Sequence, residues 1–290
     1  MQKISPYLWF NGQAEEAGQF YVSIFQNSRI VKVNRLRTDN PETTLVSTTF
    51  ELEGQTFKAL DGGPQYQITP ALSFFVNADT TEEVDQLWQK LSAGGFIMMP
   101  LDAYPFSEKF GWVQDRFGVS WQINLGSRKQ KITPFLMFVG EQHGKTEEAM
   151  RFYFTLFDHS SMNQIVRFEQ GEGEPEGTVK HAVFSLHGQE FMAMESALGH
   201  PFTFTEALSL FVSCETQEEI DLLWDKLSEG GQTQACGWLK DRFGVSWQIV
   251  PGVLSKLLYE SDPAVSSRVM KVALKMKKFD IKTLLQTAKE

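Results

Sequence analysis

The sequence predicts an α+β protein of four βαβββ modules, arranged as two tandem copies and followed by a helical tail. Three observations predict it. One half of the chain repeats the other in order: residues 4–10 match 132–138, 15–21 match 147–153, 50–57 match 184–191 and 71–76 match 207–212, as a tandem duplication should. Within each copy a strand–helix–strands pattern occurs twice. Both copies also end in nearly the same run, Gly111-Trp-Val-Gln-Asp115-Arg-Phe-Gly118-Val-Ser-Trp-Gln-Ile123 and Gly237-Trp-Leu-Lys-Asp241-Arg-Phe-Gly244-Val-Ser-Trp-Gln-Ile249. Asp-Arg-Phe-Gly is a turn signal, because Asp closes turns through its side chain and Gly accepts positive φ. Val-Ser-Trp-Gln-Ile alternates apolar and polar like a strand. Each copy therefore ends in a β-hairpin. Its last strand carries Ser120 and Gln122 (Ser246 and Gln248) opposite Val119, Trp121 and Ile123, and that polar face is the first place to look for function.

Taken in order, residues 7–10 form a strand that leads to a helix striped by Ala17, Phe20, Tyr21, Ile24 and Phe25. Strand-like runs follow at 29–36, 45–52 and 56–60. Another strand, 71–76, leads to a second helix, opened by a capping box of Thr80 and Glu83 and striped by Val84, Leu87, Trp88 and Leu91. Residues 96–99 and the hairpin complete the copy. The second copy repeats the scheme with Thr216 and Glu219 as capping box and Ile220, Leu223, Trp224 and Leu227 as stripe. The joint near 127–131 divides the chain into domains 1–128 and 129–257 and a tail, 258–290. After Pro251 the repeat stops. Residues 263–278 read as a basic amphipathic helix with Val265, Val269, Val272 and Met276 on its apolar side, and 279–289 as a further helix. A docking helix that covers a sheet or interface is favoured over a peptide-binding or membrane-surface helix.

The 290 residues suffice for two ordinary domains, and 42% hydrophobic and 13% aromatic residues, with 24 Phe, suit a packed globular chain. A net charge of −9 and a pI near 5.2 argue against nucleic acid or an anionic membrane as partner. No apolar run reaches membrane-spanning length and the first six residues are no signal peptide. The two cysteines, Cys214 and Cys236, make no disulfide framework, so reduced thiols in the cytoplasm are expected.

Paired βαβββ modules with Glu-Glu-Ala…Phe-Tyr on the first helix and Asp-x-x-Gly-x-x-Trp-x-Ile at the end resemble the vicinal-oxygen-chelate (glyoxalase/bleomycin-resistance) superfamily. Residues 5–17, 236–251 and 269–278 are similar to its PhnB-like branch, whose members often carry the label 3-demethylubiquinone-9 3-methyltransferase. The resemblance covers nearly the whole chain and implies two glyoxalase-like domains packed as a fused pseudo-dimer, with further homodimerisation open. It also implies a divalent metal held by His and Glu on the inner faces of the sheets. Carried over, the ligand positions fall at Pro6 or Tyr7 and Pro134 or Phe135, near Ala71 and Ala207, and at Gln122 and Gln248. Pro, Ala and Phe side chains cannot ligate, and a neutral amide binds a divalent cation far less well than a carboxylate. No cofactor is therefore expected, with a divalent metal as the alternative. A methyltransferase would show a cofactor pocket, usually a Gly-rich turn after a strand, and none is visible.

Other motifs weaken on inspection. Gly140-Glu-Gln-His-Gly144-Lys-Thr146 follows a strand and opens a helix, but a P-loop needs four residues between its glycines and this run has three. All five histidines lie in the second copy. His181 and His187 read as sharing one strand face, about 20 Å apart, too far for one metal. Ser47 and Glu53 occupy the matching first-copy sites. Cys236 stands just before the hairpin strand, with Lys240 as the nearest base in sequence, a weak case for a reactive thiol. Gly171-Glu-Gly-Glu-Pro-Glu-Gly177 reads as an acidic, flexible connection, matched in the first copy by the polar residues 38–43.

A site remains to be assembled from Tyr7, Trp9, Trp112 and Gln122 in the first copy and from Phe135, Met137, Trp238 and Gln248 in the second. Aromatic walls with a few amides suit an uncharged or weakly polar organic molecule. The expected function is accordingly metal-free binding of a small organic ligand. Two rivals stand beside it. One is an enzyme of the superfamily (lyase, isomerase or dioxygenase), metal-free or holding its metal by unconventional ligands such as Glu195, His200 and Gln248, where Asp61 is the first-copy counterpart of Glu195. The other is a structural protein with no ligand.

Overall fold

The computed structural model describes residues 2–37 and 44–290; the polar connection at 38–43 lies outside the described residues. The first module contains β1 (Ile4–Phe10), α1 (Ala14–Ile24), β2 (Arg29–Arg37), β3 (Thr44–Leu52) and β4 (Gln55–Asp61). The second contains β5 (Leu72–Ala78), α2 (Thr81–Ser92), β6 (Phe96–Tyr104), β7 (Ser107–Gln114) and β8 (Ser120–Leu125). In the second copy the third module runs through β9 (Ile132–Val139), α3 (Thr146–Phe154), β10 (Ser161–Arg167), β11 (Val179–Leu186) and β12 (Gln189–Ser196). The fourth comprises β13 (Leu208–Cys214), α4 (Gln217–Ser228), β14 (Gln232–Thr233), β15 (Trp238–Lys240) and β16 (Ser246–Pro251). All four modules thus have the βαβββ order. The tail holds α5 (Gly252–Tyr259), α6 (Pro263–Ala273) and α7 (Ile281–Lys289). Among the described residues no helix is long and apolar enough to cross a membrane.

Two eight-stranded sheets result, and neither belongs to one copy. The first runs β14-β15-β16-β13-β1-β4-β3-β2 and joins modules one and four; the second runs β10-β11-β12-β9-β5-β8-β7-β6 and joins modules two and three. The copies meet through antiparallel pairing of β1 with β13 (Ile4↔Val212 to Leu8↔Leu208) and of β5 with β9 (Leu72↔Leu136 to Val76↔Ile132). The strand period of two then separates the faces. Leu8, Phe57, Leu210 and Trp247 of the first sheet share one hydrophobic core with Phe74, Trp121, Leu136 and Phe191 of the second. All four module helices contribute to that core. Tyr7, Lys58, Phe211 and Gln248 lie on the opposite face of the first sheet.

The hairpin turn explains its own sequence. Asp115 Oδ1 accepts the backbone N–H groups of Phe117 (2.8 Å) and Val119 (3.0 Å), and Oδ2 accepts the Trp121 indole N–H and the Tyr21 hydroxyl, both at 2.8 Å. Asp241 repeats the pattern with Phe243 (2.9 Å), Val245 (3.0 Å), Trp247 (2.8 Å) and Tyr153 (2.7 Å). Gly118 and Gly244 take φ of 86° and 85°, which Gly adopts without the penalty of a Cβ. Arg116 stacks over Phe20 and Phe117, and Arg242 over Phe152 and Phe243. Tyr21 rides on the helix of one sheet and Asp115 on a strand end of the other, so each cluster ties the two modules of its own copy across the sheets. Burial pushes the Asp241 carboxyl up to about 6 while its four donors pull it down. All four contacts are donors to its oxygens, the set that a carboxylate calls for.

Both Thr caps form, Thr80 and Thr216 accepting from the N–H groups of Glu83 and Glu219 at 3.2 Å, while the Glu side chains reach one residue further back, to the N–H groups of Asp79 (3.0 Å) and Glu215 (2.9 Å). The tail departs from expectation: the helix read across 263–278 stops at Ala273, and α5 was not foreseen. α6 begins as the sequence suggests, with Pro263 in its first turn and Asp262 capping Ala264. Beyond its end the chain pairs with the start of the hairpin strand, the carbonyls of Met276 and Lys277 accepting the backbone N–H groups of Cys236 and Gly237 at 2.7 and 2.8 Å.

Asp241→Ala should be severely destabilising, since it strands two backbone N–H groups, a phenol and an indole in the core. A loss of about 3–5 kcal/mol is expected in urea unfolding, with Asp241→Asn costing less because its amide oxygen still serves the two backbone donors. A loss under about 1 kcal/mol would refute this role of the cluster.

Candidate functional site

The opposite face of the first sheet is covered by the tail, and between them lies a cavity of about 600 Å³. Its floor is the paired strands β4, β1, β13 and β16, which present Lys58, Tyr7, Phe211 and Gln248; α5 and α6 close it with Leu254, Leu258, Tyr259 and Met270. The aromatic groups pack against one another: Tyr7 stacks on Phe211 at 6.0 Å, and Trp238 meets Tyr7 and Trp9 edge-on at 5.8 and 5.9 Å. Trp9 is held from behind. Its indole N–H donates to the Gly63 carbonyl at 2.8 Å, and a Cβ on Gly62 would fall 2.1 Å from its ring. Gly62 is therefore required by the close approach of the indole.

Polar groups are few. Gln248 Nε2 donates to Ser209 Oγ at 2.9 Å, as Gln122 does to Ser73 in the other sheet. Lys58 is half-buried beside Tyr7, with Nζ 4.6 Å from the centre of the Phe211 ring. Burial holds its ammonium below the usual lysine range and pushes the Tyr7 hydroxyl well up. Burial also pushes up the Cys236 thiol, whose Sγ lies 3.6 Å from the Ala273 carbonyl, and Lys240 is engaged by Glu206 at 3.3 Å. Nothing there lowers the thiol toward a reactive thiolate.

The eight residues singled out in the sequence fall on two faces, and they divide across the copies. Tyr7, Trp9, Trp238 and Gln248 meet around this cavity. Trp112, Gln122, Phe135 and Met137 lie on strands of the second sheet. The corresponding face of that sheet is filled by Phe135, Val183 and Met192, with Phe75 and Met194 packed against them. Strand register equates Met192 with Lys58, because each pairs with the residue at the Tyr7 or Phe135 position. Thus Tyr7 and Lys58 give way to Phe135 and Met192, and Trp9 with Gly62 to Met137 with Ser196. The grouping by copy foresaw neither division. Lys58, Gly62, Phe211 and Tyr259 were missed altogether; the exchange of Lys58 for Met192 between repeats was the available signal.

Glu195, His200 and Gln248 do not converge. Gln248 belongs to the first sheet and Glu195 to the second. Glu195 is buried and accepts the N–H groups of Gly144 (2.7 Å) and Val179 and the Thr146 hydroxyl (3.0 Å), so it holds the start of α3. Asp61 does the same for α1 through the Ala14 N–H at 2.7 Å. The Gly140–Thr146 loop thus offers its amides to a carboxylate of the chain rather than to a phosphate. His200 instead contacts Ser196 at 3.1 Å. His187 is not on the strand of His181 but in the turn beyond it, at φ 50°. The acidic run 171–177 is anchored: Glu174 accepts from Ser196 Oγ and the Ala197 N–H, both at 2.6 Å. Among the described residues no three His, Cys, Asp or Glu side chains cluster as metal ligands.

Paired βαβββ modules sharing sheets in this way define a vicinal-oxygen-chelate fold. A family model described as 3-demethylubiquinone-9 3-methyltransferase matches residues 2–124 and again 130–250. The chain belongs to that family. A PhnB protein from Bacillus cereus is 45% identical over 43% of this chain and 100% of its own, with a TM-score of 0.41. Protein PA1353 from Pseudomonas aeruginosa is 27% identical over 44% of this chain and 100% of its own, at 0.37. Glyoxalase I from Zea mays is 11% identical but covers 84% of this chain and 92% of its own with a TM-score of 0.54, a likeness of fold. No curated protein matches the chain.

Gly62→Val should drive the Trp9 indole off its seat and break its bond to Gly63. The expected result is a shifted tryptophan emission with a stability loss of about 1–3 kcal/mol from overpacking. Unchanged emission would show that the indole has another resting place.

Proposed function

We propose that the protein binds one small organic molecule in the cavity between the first sheet and its tail helices, without a metal. The observation that carries this is the cavity itself: about 600 Å³ walled by Trp9, Tyr66, Phe211, Trp238 and Phe279, within the usual range of ligand sites and of their mostly apolar character. The side chains at the floor do not fit a divalent cation. Tyr7, Ser209 and Gln248 are neutral, and the Lys58 ammonium would repel a second positive charge.

The family's description names methyl transfer. A sulfonium methyl donor is cationic, and Lys58 disfavours it in this cavity for the same reason. A binding or sequestering role is therefore preferred to methyl transfer.

The test is titration of the full chain with one- and two-ring aromatic compounds, read by quenching of tryptophan emission and by thermal shift. Saturable binding of one molecule per chain is expected, weakened on Leu258→Trp, which puts a larger ring into the cavity beneath α5. Quenching that Leu258→Trp leaves intact would place binding elsewhere and sink the reading. Zinc, manganese, magnesium or chelator should leave the melting temperature unchanged. A stoichiometric metal in the purified protein would overturn the metal-free part.

A further inference from the structure

Lys58 is the one feature of the cavity that an apolar ligand leaves unexplained. The lysines nearby have carboxylates: Lys32 faces Glu260 at 3.4 Å and Lys240 faces Glu206 at 3.3 Å. Lys58 has none; among the described residues it has neither ion pair nor hydrogen bond, and only the Phe211 ring stands against it. A half-buried ammonium without a counter-charge is costly, and one aromatic face offsets roughly 0.5–2 kcal/mol. The Tyr7 hydroxyl, on the strand position paired with Lys58, also lacks a hydrogen-bond partner among the described residues. Two donors from paired strand positions of one apolar floor match the two oxygens of a carboxylate. Phe211, Trp9 and Trp238 supply ring faces and edges around the same space.

We infer that the ligand is an aromatic carboxylate, its carboxyl group received by Lys58 Nζ and the Tyr7 hydroxyl and its ring by Trp9, Phe211 and Trp238. This rests on the reading of the cavity as the ligand site. The second sheet is the internal contrast: Phe135 and Met192 offer no donor at these two positions, and the space is packed with side chains instead.

The test compares 2-naphthoate with its neutral amide, 2-naphthamide, by isothermal titration of the full chain. Wild type should bind the carboxylate at least about ten-fold more tightly than the amide. Lys58→Met should abolish that preference while binding the amide within about two-fold of wild type, and Lys58→Arg should keep most of the preference. Equal affinities in wild type, or an unchanged preference in Lys58→Met, would overturn the inference and leave the cavity as a neutral-ligand site. If wild type bound neither compound, the cavity reading itself would fall, and the inference with it.

Discussion

Two buried carboxylates hold this molecule in its arrangement. Asp115 and Asp241 each collect two backbone N–H groups from their own turn, an indole N–H from the strand that follows, and a phenol from a helix that belongs to the other sheet. With every lone pair served, the ionised form tolerates burial. The turn fixes the hairpin, the hairpin fixes the buried Trp, and the phenol fixes the sheet-to-sheet distance. Strand pairing between β1 and β13 and between β5 and β9 then joins the copies at right places. Remove the carboxylate and four donors from three chain segments are left without acceptors at once.

Duplication lets the two copies serve as controls for each other. Features kept in both, such as the Asp–Tyr–Trp clusters, the Thr–Glu caps, the Gln–Ser pairs and the carboxylates of Asp61 and Glu195 at the helix starts, answer the demands of the fold. Features present once answer something else. Tyr7, Lys58, Trp9 and Gly62 become Phe135, Met192, Met137 and Ser196 in the second sheet, where the space is closed by packing. A fold that needed a cation on its floor would need it twice.

What was legible in the sequence follows the range of the interactions. Asp-Arg-Phe-Gly, Thr80 with Glu83, and the strand alternation around Trp121 are local patterns, and each formed as read. The pairing of modules across copies is set by contacts between residues far apart in the chain, Ile4 with Val212 and Leu72 with Leu136, which no local period encodes. The tail's course is set at the same long range: just past α6 the carbonyls of Met276 and Lys277 accept the backbone N–H groups of Cys236 and Gly237, about forty positions earlier in the chain. Lys58 was passed over because a lysine in a strand normally reads as solvent-facing. It became conspicuous only when β1, β13 and the tail were seen around it.

The difference between the two faces follows from connectivity. The tail leaves directly from β16, and β16 lies in the first sheet, so the helices have only a short distance to travel before lying on that sheet's open face. In the second sheet β8 runs on into β9 within the same sheet. The matching face of the second sheet is filled by its own large apolar side chains, Phe135, Val183 and Met192, with Phe75 and Met194 against them. The roofed face needs no such filling, because α5 and α6 exclude water in place of its own side chains, and it retains a cavity. Into that water-poor space the first sheet projects an ammonium and a phenol. In the proposed reading a neutral aromatic gains the walls alone, whereas an aromatic bearing an acidic oxygen group also meets the Lys58 ammonium, which has no counter-charge among the described residues.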